Sequence, residues 1–581
     1  MSAYRWATKM FYDRATNAND KIKYLLLMGK GSYDNRNLSS SSGDKFLLTY
    51  QAENSLSHTK SYVTDDYFGL LDDREGTSIG TLDKLDIGIG RLPVRTADEA
   101  DKVVDKIINY MKNENKGAWK NQLCFMGDNG DSNAHMKQAD GFAILVEQSY
   151  PDYFINKILL DAYQQDQISS NNPYPGAKSH FQELMNSGLL FVNYMGHGTM
   201  NGWGNLMHMT EIRTFENKNL PLMSSGTCEF SRFDRSVVSA GEALLMNAKG
   251  GGIGVFSATR TVYSNYNEAI MKCFCDSLFS LPDKKNKAVG DAVRQAKNAS
   301  FISSDLGINT LSYIYFGDPA VQLNYPSPYN ILATEINGTP INGKDTLKAL
   351  SVVRVKGAIT NKNADVVTDF NGKLQLIVQD KEQTIKTLTA SNKYSYVDRP
   401  DVVFKGKASV VNGEFELTFM LPKDVKVNYG SGRFNFYAWD ETNNYEAQGS
   451  NTNFIVGGIN SGFIDEQDGP EASIYLNDKN FVSGDKINET PLFLADLSDQ
   501  NGINTSIITP GHDIMLCIDN EKWFNLNDYY QVTQDNNYSA GSILFQLPKQ
   551  TEGKHILMFR AWDLLSNSTT CFIGILLGLW I

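Results

Sequence analysis

Five short apolar runs in the first half of the sequence constrain its fold more than any other feature. They are "YLLLM" (24–28), "LCFM" (123–126), "LLFVNYM" (189–195), "LPLM" (220–223) and "GIGVFSA" (252–258). Each is continuous rather than alternating, as in strands of a mostly parallel sheet covered on both faces. Helical patterns lie between them. In "TADEADKVVDKIINYMKN", Thr96 and Glu99 make a capping box, and Ala100, Val103, Val104, Ile107, Ile108 and Met111 form one apolar stripe. A second helix is predicted over 286–299. Strands alternating with helices predict an open α/β domain over residues 1–325.

From residue 326 the period changes. "GKLQLIVQD", "GEFELTFML" and "GRFNFYAWD" alternate with period two, an antiparallel strand signal. A weak repeat relates 419–440 to 545–563: each has Leu-Pro-Lys, a turn, then a strand ending in Ala-Trp-Asp. Trp439 and Trp562 are 123 positions apart (562 minus 439), a spacing suited to one β-sandwich each. The pattern predicts two Ig-like β-sandwich domains, 326–457 and 472–570, joined by a polar linker, 458–471. The apolar tail 571–581 stands outside both. As a helix it would reach about 16 Å against about 30 Å of hydrocarbon, so it is expected to pair as an edge strand or to be an abnormal terminus.

Composition excludes several functions. The 581 residues carry a formal charge of −12, whereas nucleic-acid binding needs a clustered positive field, so no nucleic-acid partner is expected. No apolar run is long enough for a membrane-spanning helix. The N-terminus lacks the apolar core of a signal peptide and reads as a polar-faced helix. Six cysteines are too few to scaffold a chain of this size.

His197 sits between Gly196 and Gly198, just after the run 189–195. In open α/β sheets functional groups gather at strand carboxyl ends. Glycine there permits a sharp turn and close approach, and the Gly198 amide could face a developing oxyanion. Cys228 follows "LPLM" by five residues, on an "SSGT" turn before polar "EFSRFDR". A thiol needs a neighbouring base to act as a nucleophile, and a histidine on the next strand end supplies one. Asp128, in "LCFMGDNGD", is a candidate to orient the imidazole, although such a turn favours Asp in any case. Asp128 and Asp131 could offer oxygens to calcium, but their spacing fits no calcium-loop template. No metal ligand set is assigned. The neighbouring carboxylates Asp65 and Asp66 do not make a glycosidase pair.

"VNYMGHG", "LPLMSSGTC", "IGIGRLPVRTADEADKVVDKIINY" and "YFGDPAVQL" resemble the gingipain family of cysteine peptidases. "NYMGHGTMNGWG" with "TCEFSRFD" resembles most the sortases of the type IX secretion system of Bacteroidetes. The resemblance implies a caspase-like fold. It makes His197 the catalytic histidine, Cys228 the nucleophile, and the Gly198 and Cys228 amides the oxyanion hole. Asp128 lies near the family's acidic third member, with Asn129 competing, and Tyr263 falls near the wall of the substrate pocket. The resemblance further implies cleavage of a C-terminal sorting domain from secreted cargo and transfer of the cargo to a surface glycolipid. That requires no cofactor, and it implies other secretion components as partners and a cell-surface, outer-membrane location. The chain is expected to be the C-terminal portion of a longer protein. The alternative is a catalytically inactive caspase-like scaffold that binds the secretion machinery.

Overall fold

Eight strands build the sheet that the apolar runs predict: β1 Tyr24–Met28, β2 Gly88–Leu92, β3 Gln122–Gly127, β4 Phe154–Leu159, β5 Phe191–Met195, β6 Leu222–Gly226, β7 Gly254–Ala258 and β8 Tyr313–Phe316. A computed structural model describes the chain apart from residues 37, 39–45, 77–82, 167–172, 282–285, 304–306, 389–392, 464–465, 507–510, 533–537 and 578–581. It divides into two units, Met1–Pro326 with Ile385–Tyr396, and Ser327–Thr384 with Val397–Ile581.

In the first unit the sheet order is β1-β2-β8-β7-β6-β5-β3-β4. The pairings are parallel except β7 with β8. The sheet is therefore mixed: β1, β2 and β8 run one way, and the five strands from β7 to β4 run the other. Those five end at one edge, and every candidate site residue lies on the loops that leave it. Among the described residues the α-helices are α1 Ser2–Asp13, α2 Ala97–Met111, α3 Gly130–Ser149, α4 Pro175–Ser187, α5 Met209–Thr214, α6 Ala240–Met246, α7 Ser264–Phe279, α8 Val289–Ser303 and α9 Gly307–Leu311.

Helix α2 starts where its cap predicts, with Thr96 Oγ1 accepting the Glu99 amide at 3.2 Å. Its buried face differs from the predicted stripe. Val103, Lys106, Ile107 and Tyr110 are buried, while Ile108 and Met111 are exposed. The reason is Lys106. Its ammonium donates to the carbonyls of Leu245, Asn247 and Gly250 at 2.7–2.9 Å and so caps the C-terminal end of α6, where the helix dipole is negative.

Residues 385–396 lie outside the predicted span of the first domain yet belong to the first unit. Tyr394 Oη donates to Asp140 at 2.7 Å, and the Leu388 amide donates to the Asp161 carbonyl at 2.7 Å. Sequence period places this segment with the β region around it; these polar contacts, with Tyr396 buried in the first unit's core and Ile385 and Tyr394 packed against it, reassign it.

In the second unit eight strands between Tyr329 and Asn451 form one sheet that closes on itself, because Tyr329 and Asn330 pair in parallel with Ala447 and Gln448. Separate facing sheets were expected here. Glycines at the bends account for the closure: a Cβ on Gly357 or Gly449 would collide with a neighbouring strand's carbonyl. Residues 471–577 form two sheets, of four and five strands, that share one buried core. The residues 571–577 are not a separate tail. Strand Ser568–Leu577 pairs along its length with Gly553–Trp562 and, at its end, with Lys486–Ile487, so it is interior rather than an edge. Residues 578–581 lie outside the described residues. The two Ala-Trp-Asp motifs each end a strand that turns back as a hairpin. Asp440 accepts the amides of Thr442 and Asn443, and Asp563 accepts those of Leu565 and Asn567.

Candidate active site

Strand β6 runs on through Ser225 to Gly226, so Cys228 lies two residues past its strand rather than five past an apolar run. The small polar residues Ser224 and Ser225 are fully buried between neighbouring strands, which apolarity alone does not reveal. His197 lies two residues past the end of β5. Met195 and Gly226 are register partners in a parallel pair. His197 and Cys228 therefore occupy matching positions on strands about 4.8 Å apart.

Space requires the flanking glycines. A Cβ on Gly196 would collide with the Tyr194 hydroxyl and Asp128, and one on Gly198 with the Thr227 hydroxyl next to Cys228. After Gly198 the chain folds into a small sheet of Gly198–Thr199, Gly202–Trp203 and Met207–His208. The fully buried Trp203 stacks on Tyr194 at 4.7 Å and on Phe230 at 5.3 Å. One indole thus joins the loop carrying His197 to the loop carrying Cys228.

Asp128 is buried, and it serves the backbone. Its Oδ2 accepts the His197 amide at 3.2 Å and its Oδ1 accepts the Asn129 amide at 2.8 Å. Tyr194 Oη donates to the His197 carbonyl at 2.8 Å. The expected contact of Asp128 with the ring is replaced by another carboxylate: Asp131 Oδ2 lies 3.6 Å from His197 Nε2. The same oxygen lies 3.2 Å from Nε2 of the buried His135, whose ring meets that of His197 edge-on at 5.1 Å. Asp131, Ser132 and Asn133 have φ of 51, 56 and 68°. Left-handed backbone costs about 1–2 kcal/mol for each such residue, and strain of this kind collects at functional sites. Gly130 leaves room for the imidazole: a Cβ there would lie 2.7 Å from His197 Cδ2 and Nε2.

Cys228 Sγ lies 3.5 Å from the amide and 3.6 Å from the carbonyl of Val262, on the loop after β7. Burial pushes the thiol above the usual cysteine range, the Val262 amide opposes this, and Glu229 adds to it. Glu229 has φ 55°, so the chain turns sharply directly after Cys228. Beneath this turn Arg260 holds the buried Asp234 through both nitrogens, at 2.9 and 2.5 Å. Tyr263, next to Val262, is 45% exposed, as a residue facing a bound ligand would be.

Two members of this cluster escape the sequence reading. His135 has no strand end or glycine to mark it, and it meets Asp131 across three left-handed residues rather than along a regular helical turn. Trp203 reads as a loop residue. Asp65 and Asp66 have separate buried partners: Arg91 grips Asp65 at 2.7 and 2.6 Å, and Lys297 meets Asp66 at 2.6 Å.

A sheet that presents a thiol and an imidazole on adjacent strand ends is the framework of thiol-dependent acyl transfer. Residues 1–324 of the 581 match the model of peptidase family C25, and the chain belongs to that family, the gingipain family. Among solved structures, it is similar to dimeric latent PorU from Porphyromonas gingivalis, at 28% identity over 100% of this chain and 50% of that one, with a TM-score of 0.35. It is also similar to the complex of pro- and mature domains of RgpB from Porphyromonas gingivalis, at 16% identity over 78% and 90% of the two chains, with a TM-score of 0.41. The chain spans half the length of the PorU chain that it matches. No curated protein matches it.

Proposed function

We propose that the chain is a cysteine peptidase of caspase-like type, with Cys228 as nucleophile and His197 as base. The observation that carries this reading is the register match of Met195 with Gly226, which puts the two groups at matching positions on adjacent parallel strands. His197 takes the Cys228 proton. The thiolate attacks a peptide carbonyl, and the oxyanion faces the Gly198 and Cys228 amides. His197 then protonates the leaving amine, and a thioester remains. Asp131 orients the ring through Nε2, leaving Nδ1 for the thiol, and Tyr263 walls the substrate pocket.

Water resolves the thioester in a peptidase, and an amine resolves it in a transpeptidase. The family resemblance favours the amine. The cargo is then a secreted protein bearing a C-terminal sorting domain, the acceptor is a surface glycolipid, and the enzyme works at the cell surface beside other type IX secretion components. In this reading the strand-rich region that follows is a set of β modules, the first a closed sheet and the second a two-sheet sandwich. The test is site-resolved alkylation of Cys228. His197→Ala should slow it by about 10²-fold or more. A thiol that reacts at the same low rate with and without His197 would instead support an inactive scaffold.

A further inference from the structure

His135 is 3% exposed, and its Nε2 makes no hydrogen bond. Its tautomer is set by the other nitrogen. Nδ1 lies 3.3 Å from Gln138 Oε1. The amide of Gln138 is turned that way because its Nε2 lies 3.2 Å from the Glu268 carboxylate, which can only accept. Nδ1 is therefore the donor, and Nε2 presents its lone pair to Asp131 Oδ2, 3.2 Å away. In the neutral ring this lone pair faces a carboxylate oxygen, and the contact calls for a cation shared by the two, a proton or a metal ion. His197 Nε2 lies 3.6 Å from the same oxygen, and all three ligand atoms lie within 4.8 Å of one another.

We propose that Asp131, His135 and His197 bind a zinc-class transition-metal ion, which withdraws His197 from catalysis. Ligand bonds of 2.0–2.1 Å in a tetrahedron give edges of about 3.3 Å, close to the two separations found here. Two imidazoles with one carboxylate suit zinc, copper or nickel rather than magnesium or calcium. The Gln138 contact is the outer hydrogen bond that metal-bound histidines need. The half-exposed side chains of Asp131 and His197 leave an entry path and room for water as a fourth ligand. A neutral imidazole has one lone pair. A metal on Nε2 of His197 therefore leaves the ring proton on Nδ1, which can no longer accept the proton of Cys228. The loss of catalysis rests on the reading of His197 as base; the metal site does not.

The test uses the full chain and zinc ions alone, with affinity read by competition against a chromophoric chelator and ligand type by the absorption of cobalt(II) in the same site. One ion should bind per chain, with no thiolate-to-cobalt band, and binding should persist in Cys228→Ala. Asp131→Asn and His135→Gln should each weaken it by at least about tenfold. Asp131 is half-exposed, so its variant keeps the test free of folding effects. Absent binding, binding undiminished in both variants, or binding that requires Cys228 overturns the site. Zinc should also slow alkylation of Cys228 in the unmutated chain, reversibly with chelator, and a bound ion that leaves this rate unchanged overturns the withdrawal of His197. If alkylation without metal does not depend on His197, the peptidase reading fails while the binding measurements still decide the site.

Discussion

Asp128 and Asp131 leave the same strand three residues apart and serve different groups. Asp128 is buried and accepts two backbone amides. Replacing it with Ala leaves both without an acceptor, at about 1–3 kcal/mol. Asp131 is half-exposed and forms its ion pairs with the rings of His135 and His197. Two assays separate the pair. Asp128→Ala should lower the urea midpoint, whereas Asp131→Asn should leave it within experimental scatter and slow Cys228 alkylation by about tenfold or more. If Asp128→Ala proves neutral to stability, its backbone role is wrong. The thiol makes its own prediction. Burial raises the Cys228 pKa, so in His197→Ala the alkylation rate should keep climbing above pH 9, with no plateau near neutrality. A plateau near pH 7 would mean another base serves the sulfur. At this scale the sequence marks His197 and Cys228 because each follows a strand on glycine or small polar residues. It does not mark which carboxylate meets the ring, because that depends on three left-handed residues that no apolar pattern encodes.

Among the elements, the loops after β5 and β6 are held as a pair by Trp203 between Tyr194 and Phe230. Trp203→Ala removes a fully buried indole and should cost about 3–5 kcal/mol, measured by urea unfolding. It should also make Cys228 alkylation less dependent on His197, because each loop then moves separately. Trp203→Phe, which keeps a stacking ring, should recover part of both. A Trp203→Ala chain with unchanged His197 dependence would show that the strands alone align the site. Sequence reading finds the elements with continuous apolar runs, such as β3, where Leu123, Cys124, Phe125 and Met126 are all buried. It misses β2, because "GIGRL" carries Arg91, and Arg91 is fully buried through its bonds to Asp65 and to the Gly29 carbonyl. Lys106 misleads in the same way, since its charge is hidden by carbonyls supplied from α6 and the turn after it.

For the whole molecule, the sequence period changes near residue 326, where the main segment of the first unit also ends, and each Ala-Trp-Asp motif ends a strand that turns back as a hairpin. Closure of the first β sheet and the reassigned hairpin 385–396 stay hidden, because both depend on pairing between distant segments. The second unit also carries a pH response of its own. Glu466, Asp499 and Asp563 bring carboxylate oxygens within 4.8 Å of one another. Burial first, then the neighbouring carboxylates, pushes Asp499 up to about 6, and burial with Glu466 does the same for Asp563. Both folded values exceed the unfolded value of about 3.9. The folded state therefore binds more protons than the unfolded one between those pH values, and its stability from these groups is present below about pH 4 and lost as pH rises through about 6. Asn at 499 mimics the protonated group and keeps an oxygen for the Asn501 and Gly502 amides that Asp499 now accepts. Asp499→Asn should accordingly raise the Tm of the full chain at pH 8, and the gain should fade as the pH falls to about 4. A gain that is constant from pH 8 to pH 4 would mean that the carboxylates do not repel one another in the folded chain and that the substitution acts only through its local hydrogen bonds.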